Sequence, residues 1–173
     1  MDRRVVKEGV GLMFWGQIIA IFSFIPIAGI VALIIGGVMQ VLGIWKIKEQ
    51  DQNYSMAFLL LIVGILVGLF SGDGIFGTLM SWVGIVVSGA STYVICTGTA
   101  NCVGPVSPTE GENCLSVRKW YMMCMVLSLV ISVLGVIPFI NIIAALASIV
   151  VLVLEIIASI RYLIMLYRCK NVL

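Results

Sequence analysis

Histidine is absent from all 173 residues. Without an imidazole the chain cannot build a Ser-His-Asp or Cys-His nucleophile, the usual zinc-protease motif or a histidine proton relay. Charge is almost as scarce, at 10% of residues, where a soluble domain carries about a quarter. The net charge of +2 is too small to hold a nucleic acid, so none is expected as a partner. Five cysteines are an odd number, which leaves at least one unpaired within the chain. What is present is apolar: 62% of residues are hydrophobic and the mean hydropathy is +1.22, values of an integral membrane protein. The first apolar run continues into more apolar chain with no small-residue cleavage site, so no cleavable signal peptide is expected.

No formal charge interrupts Gly9 to Trp45. As one helix that run would reach about 55 Å, nearly twice a hydrocarbon core of about 30 Å. Pro26 lacks an N–H and drives Ile25 out of the α region, so the run divides there into spans of 9–25 and 27–45. Pro138 divides the uncharged run from Trp120 to Leu154 in the same way, into 118–137 and 139–166. Between them, 54–70 and 75–95 flank the turn signal "SGDG", in which Asp73 is read as a turn former rather than a cation entrance. The expected fold is all-α and polytopic: one transmembrane domain, 1–173, of six helices in three hairpins.

All ten Lys and Arg (Arg3, Arg4, Lys7, Lys46, Lys48, Arg118, Lys119, Arg161, Arg168, Lys170) then fall on one side, and Asp73 is the single charge on the other. The positive-inside rule places that basic side, with both termini, in the cytoplasm of a multi-pass cell-membrane protein. Hairpins that dip into the bilayer without crossing keep the same charge pattern. Crossing is preferred, because backbone freed at a proline finds partners more readily in the far headgroup layer than in mid-bilayer.

A shift of 112 residues lays the first hairpin on the last without a gap, with Lys7 on Lys119 and Pro26 on Pro138. The expectation is a parallel internal repeat. It sets Gly29, Gly36 and Gly43 on Asn141, Ser148 and Glu155, each set spaced by seven and so lying along one helix face. The glycine line, like Gly64 and Gly68 of the third span, reads as a helix-packing surface. The polar line needs a partner other than lipid, and the two lines are expected to face the bundle interior, at one another.

Glu155 is the only acid inside an expected span, which marks it for function. A last hairpin folded symmetrically about Pro138 puts it near Tyr121, one turn from Arg118 and Lys119, where a structural ion pair is the plainer expectation and ion or solute coupling the sharper one. Gln17 and Gln40 are amides at depth, read as interhelical hydrogen bonders or as part of a solute site with Glu155, Asn141 and Ser148. The stretch "CTGTANCVGPVSPTEGENC" begins a cysteine-containing loop, 96–117. Cys96, Cys102 and Cys114 could offer thiolates to a metal, but the spacing is not that of a zinc site and no fourth ligand is evident. Trp45, Tyr54, Tyr93, Trp120, Tyr121, Tyr162 and Tyr167 fit an interfacial belt.

Neither catalysis nor a cofactor is expected. The function expected is that of a non-enzymatic membrane protein that joins an assembly, with the bilayer and further copies or other membrane proteins as partners. The alternative is a small transporter or channel subunit that handles a solute or ion at the polar site around Glu155.

Overall fold

The structure is a computed structural model that describes residues 1–22, 28–72, 74–137 and 139–173. Pro26, Asp73 and Pro138, on which the expected turns rest, lie outside the described residues. Six helices are described: α1 (Arg3–Ile21), α2 (Ala28–Ile47), α3 (Gln52–Phe70), α4 (Gly74–Val103), α5 (Pro108–Leu134) and α6 (Asn141–Val172). Five of them, α2 to α6, are long and apolar enough to cross a membrane. The first two turns of α1 hold Arg3, Arg4, Lys7 and Glu8, a load that keeps its described part out of that group.

Three helix starts have a local cause. Asp2 accepts from the Arg4 N–H and Asp51 from the Asn53 N–H, so two of the orphan donors at the start of α1 and α3 are satisfied by aspartate N-caps. Pro108 opens α5, where its missing N–H costs nothing.

Consecutive helices are neighbours, and α6 returns to pack on α1, so the six close into a ring. The contacts bring the basic residues to one end: Lys46 pairs with Glu8, Arg118 donates to Thr97 Oγ1 at 3.2 Å, and Arg168 lies 3.9 Å from Glu110. The core is at that end too. Val6, Val10, Met13, Ile44, Ile47, Tyr54, Val103, Cys114, Leu166 and Cys169 pack there, while Ile30, Leu69, Ile75 and Phe139, towards the opposite end, stand 71% to 92% exposed.

The cysteine stretch is not a loop. α4 runs to Val103 and α5 starts at Pro108, leaving only 104–107 between them. Thr97 and Thr99 donate to the carbonyls of Tyr93 and Ile95 one turn back, so their hydroxyls are satisfied inside the helix. Burial of Cys96, Cys102 and Cys114 supplies the packing that overrides the Gly- and Thr-rich composition. Two of the expected belt residues are also core: Tyr54 is fully buried and donates to Thr99 Oγ1 at 3.0 Å, and Tyr162 is 5% exposed. Trp45, Tyr93 and Trp120 do meet cations at the basic end, beneath Lys48, Arg118 and Arg161 at 3.3, 4.7 and 4.7 Å.

The glycine line packs within its own helix pair. A Cβ on Gly36 would lie 2.6 Å from the Gly16 carbonyl oxygen, and one on Gly43 would lie 2.8 Å from that of Gly9. α1 and α2 therefore touch backbone to backbone. Gly29 is buried, Gly64 makes only ordinary contact with Val87, and Gly68 faces open space and packs against nothing among the described residues.

The last pair uses a different register. Glu155 accepts a hydrogen bond from Ser128 at 2.5 Å and does not meet Tyr121, Arg118 or Lys119. Cys114 lies against Cys169, Trp82 of α4 donates to Ser132, and Tyr121 stacks on Tyr162 at 5.7 Å. Relative to a fold symmetric about Pro138, α5 has slipped on α6 by seven residues. The residues that correspond to Gly9 and Gly43 are Tyr121 and Glu155, too large for backbone contact. A slip of two turns keeps the same helix faces together and brings the small Ser128 opposite Glu155.

Candidate functional site

The ring surrounds a half-open cavity of about 420 Å³ whose lining draws on all six helices. Gln17 of α1 and Gln40 of α2 enter it, from levels set by the glycine contact between the two helices, where Gln40 abuts Gly16. Ser88, Ser91 and Thr92 come from one face of α4, with Gly64 and Gly84 leaving room between α3 and α4. Tyr121 and Tyr162, stacked edge to face, form the wall on the α5–α6 side.

Hydrogen bonding sorts these groups into satisfied and free. Thr92 donates to the Ser88 carbonyl within α4, and Tyr121 O–H reaches Ser159 at 3.4 Å. Ser91 Oγ is buried without a partner among the described residues, the residue being 5% exposed. An unmade hydrogen bond of this kind costs about 1–3 kcal/mol. The Gln17 and Gln40 amides make no hydrogen bond among the described residues, so four N–H donors and two carbonyl acceptors face the same space. None of the cavity's lining residues carries a formal charge.

Two of the five residues expected to make the polar site are thus brought together, and three are not. Asn141, Ser148 and Glu155 are exposed on α6, and Glu155 borders a separate pocket of about 310 Å³ with Gly84 and Ser88 of α4 and Ser128 of α5. Ser148 donates to the Ala145 carbonyl one turn back, and Glu155, Ser148, Ser128 and Ser132 border an outward-facing groove of about 380 Å³. No cation lies within ion-pair distance of Glu155 among the described residues. The polar line and the glycine line do not face one another: Glu155 of the first meets Ser128 of α5, and Gly36 and Gly43 of the second meet α1.

The thiols do not gather as metal ligands. Among the described residues no three of His, Cys, Asp or Glu form a group able to hold a metal ion. Cys114 Sγ lies 3.5 Å from Cys169 Sγ, and all five cysteines are buried.

Sequence reasoning passed over Ser91, Tyr121 and Tyr162 as lining residues. The signal for the α4 face was visible, since Gly84, Ser88, Ser91 and Thr92 share one helical stripe, but a packing stripe and a cavity stripe read alike until the opposing helix is known. Comparison with known proteins found no matching family model, no matching curated protein and no matching solved structure.

Proposed function

We propose that the chain is a membrane-embedded solute-binding protein, a small transporter or its binding subunit, whose ligand occupies the central cavity. The supporting observation is a space that all six helices help to line, into which the Gln17 and Gln40 amides, without a partner among the described residues, project, with the equally unpartnered Ser91 hydroxyl buried in its wall. A packing role alone would have favoured alanine there. The uncharged lining selects a neutral molecule, the amides and hydroxyl select one with several hydrogen-bonding groups, and the Tyr121–Tyr162 wall suits a flat apolar portion. Glu155 does not line this cavity and borders the adjoining pocket on the other side of Gly84 and Ser88. The protein is read as lying in the cell membrane with both termini cytoplasmic, the side to which its basic end points.

The test is a thermal-shift screen of purified protein against neutral amides, polyols and nucleosides, followed by uptake into liposomes. Ser91→Ala removes the unmade hydrogen bond, so it raises the melting temperature of the empty protein and weakens the shift produced by a bound solute. A Ser91→Ala protein that melts lower than wild type, or that keeps the full solute shift, sinks this reading.

Assembly is the second reading, and the exposed line on α6 supports it. Asn141 and Ser148 each carry donor and acceptor, so the line pairs with itself across a two-fold axis between two copies of the chain. The repeat is read in the same spirit, as one helical face used twice, once closed by glycine and once left polar for a neighbour.

A further inference from the structure

A second pocket lies between α5 and α6 at the basic end, about 260 Å³ in volume and separate from the central cavity. Arg161 and Arg168, two helical turns apart on α6, face it alongside Glu110, Asn113 and Ser116 of α5. The Arg161 guanidinium lies over the Trp120 ring, 4.7 Å from its centroid, a contact that restrains the side chain at the pocket. Glu110, whose side chain is 16% exposed, accepts from Asn113 at 3.0 Å and lies 3.9 Å from Arg168. Ser116 O–H makes no hydrogen bond among the described residues.

Depth identifies what meets this pocket. Twenty residues of α6 from Asn141 carry the chain about 30 Å, the thickness of the hydrocarbon core, so Arg161 stands at its inner edge. Arg168 lies about 10 Å further, in the headgroup layer. Ile164, between the two arginines and 47% exposed, offers an apolar step on the bilayer side.

We propose that this pocket binds the phosphodiester of an anionic phospholipid. Two guanidiniums against one carboxylate leave one positive charge unmatched, which a phosphodiester with its single negative charge neutralises. Free inorganic phosphate shares the oxyanion chemistry but carries more than one negative charge at neutral pH and no acyl chain to lie along Ile164, and Glu110 opposes the excess charge. Glu110 tunes the site: it holds Asn113 and draws on Arg168, and so weakens the grip on the ligand.

Native mass spectrometry of the full chain, released from micelles containing phosphatidylglycerol, tests the assignment. The expected result is one retained lipid per chain, with the apparent affinity falling roughly fivefold for Arg161→Gln and again for Arg168→Gln. Glu110→Gln is expected to raise it, a sign that a merely structural role for the pocket does not produce. Lys119→Gln, a basic residue outside the pocket, leaves it unchanged, and millimolar inorganic phosphate does not displace the lipid. Retention untouched by the arginine changes, or lowered as much by Lys119→Gln, overturns the site in favour of diffuse charge. Displacement by inorganic phosphate overturns the lipid in favour of a free anion, and a Glu110→Gln protein that binds less lipid overturns the proposal even if the arginine variants fail to fold.

Discussion

Gly36 and Gly37 are neighbours in sequence and opposites in consequence. A Cβ on Gly36 would sit 2.6 Å from a backbone oxygen of α1, whereas one on Gly37 meets nothing within 4 Å. Gly36→Ala therefore forces α1 and α2 apart and is expected to destabilise by about 1–3 kcal/mol. Gly37→Ala gains helix propensity and is expected to be neutral or stabilising, by up to about 1 kcal/mol. Thermal melts of the two variants in the same detergent check the contrast; equal losses would mean that the two helices do not meet at this face. The glycine spacing was legible in the sequence as a packing line, because a period of seven keeps one face. Which helix it packs on was not, because the line fits any neighbour that is itself small at the right level, and Gly9 and Gly16 of α1 met that condition first.

At the scale of elements, the register of α5 on α6 departs furthest from the expected one. Gapless alignment with the first pair puts Cys114 level with Tyr162, while the structure puts it against Cys169. Mild oxidation with iodine in detergent is expected to join Cys114 to Cys169 within one chain, with Cys102 left reduced; peptide mapping by mass spectrometry reads this directly. A link from Cys114 to a cysteine introduced at Tyr162, in a Cys169→Ser background, would restore the symmetric register. The sequence could not disclose the slip, since sliding a helix by two turns leaves every residue on the face it had before. Side-chain size decides between the two registers, and it does so through pairs such as Tyr121 with Glu155 that become neighbours only after folding. The extension of α4 and α5 through the cysteine stretch was hidden for a related reason. Gly, Thr and Ser weaken helix propensity locally, and the burial that outweighs this comes from Tyr54 of α3 and from Tyr162 and Cys169 of α6.

For the whole molecule, the packed core sits at the basic end and the opposite end is open and apolar, with the central cavity between the six helices. An α6 of 32 residues measures about 48 Å, so its last turns stand beyond a hydrocarbon core of about 30 Å and complete that core outside the bilayer. Buried native cysteines make poor topology probes, so single cysteines belong at exposed positions at the two ends. In sealed cells an impermeant maleimide is expected to label Ser71→Cys from outside, and Glu112→Cys only after permeabilisation. The reverse pattern overturns the orientation drawn from the basic residues. Labelling of neither position in intact cells would favour hairpins that enter the bilayer without crossing it.

The sequence by itself determined the class of molecule. Long uncharged runs admit no solvent but lipid, their length forces them to be divided, and the absence of histidine removes whole families of chemistry before any coordinate is known. It also marked Glu155, Asn141 and Ser148 as polar residues in need of partners, and Gln17 and Gln40 as amides at depth. Only the tertiary structure decided which of them meet. Composition along a chain reports how much polarity lies at a given depth, but the choice between inside and outside depends on how each helix is rotated and slid against its neighbours. Here that choice brought Gln17 and Gln40 to the central cavity and set Glu155 beside Ser128, in the adjoining pocket between α4, α5 and α6.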